Sequence, residues 1–246
     1  MKNVTVFGSL AYDRIMNFPD TFANHILSDR IDNLNVCFQV ERVQENFGGT
    51  AGNIAYALHL MGESPRLCAT IGRDYHSYFQ WLDQNSISRE DVVIIEQELT
   101  AGAYITTDLS NNQITNFNPG AMKYSSALNF STLTSGDDLL LISPGNLNDM
   151  IEYPKVCRTH GLDYIFDPGQ AIPMLAAADL QEVIRDCMLL IVNEYEFDLL
   201  RKKCDLTEEK LLTLPRATII TLSERGSLLR TPGNYEEIPV SKAYKV

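Results

Sequence analysis

The apolar positions of the chain form short continuous runs, separated by stretches with a helical period. A strand covered on both faces, as in a parallel sheet, has such an uninterrupted run, whereas a half-exposed strand alternates. Six segments have this continuous character: Val4–Phe7, Leu67–Ile71, Leu139–Ile142, Tyr164–Phe166, Leu189–Val192 and Thr218–Leu222. They predict six buried, mostly parallel strands.

Helical patterns lie between these runs. In Asn53–Met61 the apolar residues recur at intervals of three and four, as on the buried side of a helix. Tyr75–Gln84 and Glu194–Lys203 behave similarly, and Thr207 can cap a further helix that runs to Leu214. Strands that alternate with helices favour an α/β fold with an open, mostly parallel sheet and helices on both faces.

Two segments, residues 14–47 and 101–118, depart from this alternation. In the second, Tyr104–Asp108 and Gln113–Phe117 alternate on either side of Leu-Ser-Asn-Asn, which is typical of a β-hairpin. We expect the two insertions to form a small β lid on an α/β domain that spans residues 1–246. Because a lid has too little core to stand alone, it would lean on the domain or pair with a second copy in a homodimer. Two ordinary surface loops are the alternative.

Composition and charge exclude several classes of partner. The 246 residues include 20 Lys and Arg against 32 Asp and Glu, a formal charge of −12, so nucleic acid is not expected as a partner. No apolar run approaches the roughly 18 residues that a membrane span requires, and the chain begins in a strand pattern rather than a signal peptide. Five cysteines without a C-x-x-C pair indicate neither a disulfide framework nor a zinc site. A reduced, cytoplasmic protein is expected.

A first candidate site follows the first predicted strand, in the sequence GSLAYD, Gly8–Asp13. Ligands of open α/β sheets bind at the carboxyl ends of strands, where the Asp13 carboxylate can accept hydrogen bonds from two vicinal hydroxyls. A solvated turn aspartate is the alternative. The glycine spacing is not G-x-G-x-x-G, so a nicotinamide-dependent oxidoreductase is disfavoured.

A second candidate is GGTAGN, Gly48–Asn53, which opens a predicted helix. The adjacent Gly48 and Gly49 let backbone amides approach a ligand, and a helix N-terminus favours a polar or anionic group. Asn53 can direct its amide into the same space. A tight turn with Asn53 as a cap is the alternative.

A third candidate, Asp167–Gln170, follows another predicted strand and can border the same site. Its alternative is a type II turn with Pro168 and Gly169 at the central positions.

Together these motifs resemble those of the PfkB (ribokinase-like) family of sugar and nucleoside kinases. GSLAYD is similar to the family's first strand and turn with its hydroxyl-binding aspartate, and GGTAGN is similar to its N-terminal signature. Asn193–Glu196 resembles the family's N-x-x-E motif, and Thr221–Gly226 resembles its T-x-G-x-x-G turn. The resemblance spans the whole chain and implies a ribokinase-like fold with a β lid.

The resemblance also implies a two-sided site. The residues that would hold the acceptor hydroxyls are Asp13, Gly48, Gly49 and Asn53. The residues that would border ATP are Asn193, Thr221, Ser223 and Gly226. Glu196 would hold Mg²⁺ through water, in keeping with the few protein ligands that this ion takes. The family has a glycine where this chain has Ser223, which puts the backbone conformation of that turn in question.

The resemblance extends to an expectation about the C-terminal end. Family members continue, after a strand like Ile238–Val246, into a D-T-x-G-A-G-D segment that forms an anion hole and supplies the general base. No such string occurs in this chain, so a C-terminally incomplete domain is expected, with the catalytic residues after Val246. Since losing an oxyanion donor typically costs about 10²–10³ in rate, we expect little activity from these 246 residues. We also expect exposed apolar surface at its C-terminal end.

The implied activity is transfer of the γ-phosphate of ATP, with Mg²⁺, to a primary hydroxyl of a sugar or ribonucleoside. The sequence QITNFNPGAM at Gln113–Met122 is similar to the lid-to-core return of adenosine-kinase-like members, which favours an adenosine-like acceptor. A non-catalytic sugar- or nucleoside-binding protein of the same fold is the alternative.

Overall fold

The computed structural model describes residues 2–241, including all of their side chains except those of residues 28–30. Within this part the strands are β1 (Asn3–Phe7), β2 (Ala11–Asn17), β3 (Arg42–Gly48), β4 (Arg66–Gly72), β5 (Ser88–Ile95), β6 (Ala101–Thr107), β7 (Gln113–Asn118), β8 (Asp138–Ile142), β9 (Asp163–Phe166), β10 (Leu189–Asn193), β11 (Thr218–Thr221), β12 (Ser227–Thr231) and β13 (Asn234–Ile238). The α-helices are α1 (Thr50–Leu60), α2 (His76–Gln84), α3 (Leu147–His160), α4 (Ala177–Ile184), α5 (Glu194–Cys204) and α6 (Glu208–Leu212).

The main sheet has nine strands in the order β13-β12-β11-β10-β9-β8-β1-β4-β5. The seven strands from β11 to β5 are parallel, and β12 and β13 add an antiparallel edge. Val6 and Phe7, adjacent on β1, pack in different core clusters, Val6 with residues of α1 and α2 and Phe7 with residues of α3, α4 and α5. Helices therefore cover both faces, and the predicted α/β fold is confirmed.

The strand order reverses at β1, which has β4 on one side and β8 on the other. The chain builds one flank of the sheet from β4 and β5, then crosses over and builds the other from β8 onwards. At such a switch point the loops after the neighbouring strands diverge and leave a crevice at their carboxyl ends. Here the bordering loops are residues 8–10 and 143–146.

The lid is a separate four-stranded sheet in the order β3-β2-β6-β7. Its β6–β7 pair is the hairpin predicted from the sequence. The first lid segment begins at Ala11 rather than at residue 14, because β2 pairs with β3 on one side and β6 on the other from Ala11 onwards. Asp13 therefore lies inside a lid strand and not in a turn at the edge of the main sheet.

Two other boundaries differ from the expectation. Helix α1 begins at Thr50 rather than Asn53, since Gly49 already occupies its N-cap position. The last strand, β13, ends at Ile238, and most of the strand expected at 238–246 lies outside the described residues. Tyr235, Ile238 and Val240 are exposed in this region.

The described residues contain no helix that combines the length and the apolar character needed to cross a membrane. All five cysteines are free thiols, four of them buried and Cys37 exposed.

Candidate functional site

Asp13 and Gly48 are diagonal neighbours on the first two lid strands, β2 and β3. In the β2–β3 ladder Gly48 pairs with Ala11 and Asp13 pairs with Asn46. The Asp13 side chain leans towards the glycine, since a Cβ built on Gly48 would lie 2.2 Å from Asp13 Oδ2. Burial raises the pKa of Asp13. The structure thus brings together two of the predicted acceptor residues around a half-buried carboxylate.

The backbone conformation and close packing at residue 49 require glycine. Its φ is +90°, and a Cβ there would lie 2.4 Å from the Ser9 carbonyl oxygen and 2.7 Å from the Ala11 nitrogen. This close approach lets the chain turn from β3 into α1 directly beside the loop after β1. Asn53 lies on the first turn of α1 and is exposed.

Ser9 already holds the first amides of α1. Its Oγ accepts a hydrogen bond from the Thr50 amide at 3.0 Å, and its carbonyl oxygen accepts one from the Ala51 amide at 3.1 Å. These two donors of the helix N-terminus are satisfied within the protein, which fixes α1 to the loop after β1.

Thr50 connects the N-terminus of α1 to the loop after β8, on the other side of the switch point. Its Oγ1 donates to the Pro144 carbonyl oxygen at 2.7 Å, across 94 residues of sequence, and the Ser143 Oγ lies 3.0 Å away. Sequence reasoning did not single out either Thr50 or Pro144. Their only signal was position, because Thr50 lies inside GGTAGN and Pro144 follows a predicted strand.

Thr50 also lines a cavity of about 230 Å³. Its walls come from the carboxyl ends of β9, β10 and β11 and from the loop after β8. The polar side chains in the wall are those of Thr50, Asp167, Gln170, Asn193, Glu196 and Thr221. The structure thus brings the predicted nucleotide and metal residues Asn193, Thr221 and Glu196 into one cavity.

Asp167 lines this cavity, and the alternative of a type II turn at Pro168 and Gly169 is wrong. Pro168 has φ −71° and ψ −27°, whereas the first central residue of a type II turn needs ψ near about +120°. Gly169 instead begins a 3-10 turn that runs to Met174. Burial, followed by the neighbouring Glu196 carboxylate, raises the pKa of Asp167 to about 6, against a smaller opposing effect of the Gly169 backbone.

Asn193 and Glu196 also form the N-terminal cap of α5. Asn193 Oδ1 accepts from the Glu196 amide, and Glu196 Oε2 accepts from the Asn193 amide, each at 2.8 Å. This is a capping box, which explains the N-x-x-E spacing without any ligand. It also holds the Glu196 carboxylate at the cavity wall.

The remaining two predicted nucleotide residues, Ser223 and Gly226, lie in the turn after β11 and not in the cavity wall. Ser223 has φ +53°, so it adopts the left-handed conformation that a glycine takes most easily. Gly226 has φ +94°, and a Cβ there would lie 2.0 Å from the Ile238 carbonyl oxygen. The turn therefore keeps a glycine-type backbone at residue 223 despite the serine.

No group of three or more His, Cys, Asp or Glu side chains is arranged as a metal site among the described residues.

The family model described as pfkB family carbohydrate kinase matches residues 1–246. The chain belongs to the pfkB family of carbohydrate kinases. It is therefore a phosphotransferase of the carbohydrate-kinase class, as its motifs predicted.

Two nucleoside kinases are among its relatives. The Burkholderia thailandensis enzyme, solved in complex with inosine, is 36% identical with a TM-score of 0.83, over 99% of this chain and 78% of that chain. The Methanocaldococcus jannaschii nucleoside kinase is 28% identical over 100% of this chain and 78% of its own length. A ribokinase from Thermotoga maritima, 21% identical over 100% of this chain and 80% of that chain, shares the fold with a TM-score of 0.80.

Proposed function

We propose that the protein transfers the γ-phosphoryl group of ATP to the primary hydroxyl of a ribonucleoside, with an adenosine-like purine nucleoside favoured. The observation that carries this proposal is the pairing of two groups across the switch point. The Asp13 carboxylate lies over Gly48 on one side, and a cavity with two carboxylates, Asp167 and Glu196, lies on the other. Thr50, two residues after Gly48, lines this cavity and is hydrogen-bonded to the loops after β1 and β8.

The acceptor side suits a polyol. Asp13 is a half-buried carboxylate whose oxygens accept no hydrogen bond from the residues that the structure describes, and two vicinal hydroxyls can donate to it. Gly48 leaves room above it, Gly49 permits the tight turn, and Asn53 adds an exposed amide on the first helical turn. The structure of the Burkholderia relative with inosine supports a ribonucleoside rather than a free sugar as the acceptor.

The opposite side suits a nucleotide and a divalent cation. The relative solved with ADP-inosine supports ATP as the phosphoryl donor, for which we propose Asn193, Thr221, Ser223 and Gly226 as neighbours. The donor set of the cavity fits Mg²⁺, since Asp167 and Glu196 offer oxygen ligands and repel each other when both are ionised. Glu196 would hold the ion, through water. The ion would supply positive charge next to the triphosphate.

The lid would exclude water from the acceptor. Its strands carry Asp13 itself, so lid position and hydroxyl binding are coupled. Water exclusion limits wasteful hydrolysis of ATP and strengthens electrostatic interactions in the site.

The lid is also the surface through which we propose a homodimer. Every residue of the edge strand β7 is exposed, and an edge strand has unpaired backbone groups that a second copy can use.

We also propose a cytoplasmic location, because five free thiols suit a reducing compartment.

The test is calorimetric titration of the protein, expressed from its complete coding sequence, with inosine, adenosine, ribose and fructose. Each ligand is then incubated with MgATP and the product is identified by mass spectrometry. We expect one purine nucleoside to bind and to become its 5′-phosphate. Asp13→Asn should weaken acceptor binding, whereas Asp20→Asn, at a partly exposed lid aspartate bonded to Asn24 and His25, should not.

Three outcomes would count against the proposal. Binding of ribose or fructose in preference to any nucleoside would assign a sugar kinase. Nucleoside binding without a phosphorylated product would assign a binding protein. Equal effects of the two aspartate variants would remove Asp13 from the site.

A further inference from the structure

The register of the lid sheet places Asp13, Ala103 and Phe117 in one row. Asp13 pairs with Ala103 across β2 and β6, and Ala103 pairs with Phe117 across β6 and β7. Paired residues project from the same face of a sheet, and neighbouring strands are about 4.8 Å apart. The carboxylate and the phenyl ring therefore stand on one face, roughly 10 Å apart at the backbone, with only a methyl group between them.

This face is the one turned away from the packed helices. On the opposite face Tyr12 and Phe47 pack against Tyr78 of α2, with ring centroids 5.7 and 5.3 Å from it. Phe117 is 52% exposed and stacks with no other aromatic ring of the described residues. The row thus forms a shallow trough with a hydroxyl acceptor at one side, a small floor, and a free aromatic ring at the other side.

A cavity lies close to Phe117 along the chain. Two residues beyond Phe117 the chain reaches Pro119, which lines a cavity of about 380 Å³ together with the apolar Met122, Leu147 and Met174 and the polar Lys123, Asn146 and Asn148. Gly145, from the loop after β8 at the switch point, is part of the same wall. A flat ring that extends from Asp13 along the row would meet Phe117, whereas a free sugar would end at Ala103.

We propose that Phe117 is the residue on which the nucleobase of the acceptor stacks, and that it sets the preference for nucleosides over free sugars. This inference rests on the proposed nucleoside acceptor. An aromatic face is a suitable platform for any base, since every base has a π-face, and Phe117 carries no hydrogen-bonding group that would select one base. Phe117 is thus a specificity residue, while the hydroxyls are held by Asp13.

The experiment compares Phe117→Ala and Phe117→Trp with Ile114→Ala in titrations with inosine and with ribose. Ile114 is the matched control because it lies on the same strand, is 37% exposed, and pairs with Thr106 on the opposite face. Loss of a base–aromatic stack should weaken inosine binding by about tenfold or more in Phe117→Ala. Ribose binding should stay the same, Phe117→Trp should retain inosine binding, and Ile114→Ala should behave as the wild type. Thermal unfolding of each variant checks that it is folded.

Phe117→Leu guards against a folding defect, because it keeps apolar bulk but removes the π-face, and it too should weaken inosine binding. The inference is overturned when Phe117→Ala binds inosine like the wild type, or when it loses ribose and inosine binding equally. A wild-type protein that binds ribose but not inosine instead rejects the proposed nucleoside acceptor, which separates the two failures.

Discussion

Asp13 occupies the space that a side chain at residue 48 would fill. A Cβ on Gly48 would lie 2.2 Å from Asp13 Oδ2 and 2.8 Å from its Cγ. The Gly48 carbonyl oxygen accepts a hydrogen bond from the buried Tyr78 hydroxyl at 2.7 Å. Because this bond anchors β3, a side chain at residue 48 would displace the Asp13 carboxylate rather than the strand. The glycine serves here to leave room for Asp13.

Gly48→Ala should therefore push the Asp13 carboxylate out of its position while leaving the fold intact, because the atoms that clash belong to the end of one side chain. We expect acceptor binding to fall by about tenfold or more, comparable to the loss of a hydrogen bond to a charged group. Calorimetric titration with the acceptor measures this. Gly102→Ala is the control, since it lies in another lid strand and its Cβ would come no closer than 3.2 Å to the end of the Arg14 side chain. Unchanged binding by Gly48→Ala would mean that Asp13 does not contact the acceptor.

Glu196→Gln should separate the structural and the ionic roles of that residue. A glutamine oxygen can still accept from the Asn193 amide, so the capping box persists and stability should change by less than about 0.5 kcal/mol. The negative charge is lost, so the strengthening of nucleotide binding by Mg²⁺ should shrink. The measurement is titration with ADP in the presence and absence of Mg²⁺, alongside urea unfolding.

Glu194→Gln is the matched control for that experiment. Glu194 lies in the same first turn of α5 but is exposed and paired with Arg225. Its replacement should leave the Mg²⁺ effect unchanged. If Glu196→Gln retains the full Mg²⁺ effect, the N-x-x-E motif of this chain is a cap alone.

Asp167 and Asp163 should give stability effects of opposite sign. Burial and Glu196 raise the pKa of Asp167 from 3.8 to about 6, so the folded state binds more protons than the unfolded state between these values. The wild type therefore loses stability as the pH rises through this window. Asp167→Asn should be more stable than the wild type at pH 7.5 by on the order of 2 kcal/mol, with little difference near pH 4.

Asp163 begins the strand that Asp167 follows, and its pKa is lowered, first by the hydrogen bond from Lys2 and then by Arg216. Its contribution to stability is present above the ordinary carboxyl pKa and is lost as the pH falls through the lowered one. Asp163→Asn should thus destabilise the protein at pH 7.5, by about 0.5–1 kcal/mol for this partly exposed pair. Urea unfolding at both pH values, without metal, checks the two variants together. The same sign for both would contradict the opposite environments of the two carboxyls.

Ser223→Gly should stabilise the turn after β11. Ser223 is exposed and has φ +53°, a conformation that costs an L-residue about 1–2 kcal/mol. Part of the gain is offset because glycine makes the unfolded chain more flexible, so we expect a net increase of about 0.5–1 kcal/mol in unfolding free energy. Ser227→Gly in β12 should do the opposite, since glycine weakens a strand. A less stable Ser223→Gly would indicate a stabilising contact of the serine side chain.

The sequence predicted the parts of the fold that have a local or one-dimensional signature. Each of the six continuous apolar runs is a parallel strand, because burial on both faces excludes polar side chains from such strands. Strands that are not buried on both faces were not predicted in this way. All of β13 is exposed, β12 is only partly buried, and the edge strand β5 begins with the polar residues Ser88–Asp91.

In the candidate site too, local features could be predicted from the sequence and long-range contacts could not. Asn193 and Glu196 are three residues apart, and their mutual hydrogen bonds follow from helix geometry, so the motif was readable in the sequence. The bond from Thr50 to Pro144 spans 94 residues, and no local sequence pattern predicts that these two residues meet. The approach of Glu196 to Asp167, which contributes to the raised pKa of Asp167, arises only when β9 and β10 lie side by side.

The sequence by itself determined which segments are buried strands, where helices are capped, and which residue types are available for hydroxyls and a cation. Periodicity, capping and motif spacing act over a few residues, and the printed order of residues contains them. Only the tertiary structure decided that Asp13 belongs to the lid, that its carboxylate fills the space over Gly48, and that Phe117 shares its face. Those relationships depend on strand register between distant segments, and register is set by the packing of the whole molecule.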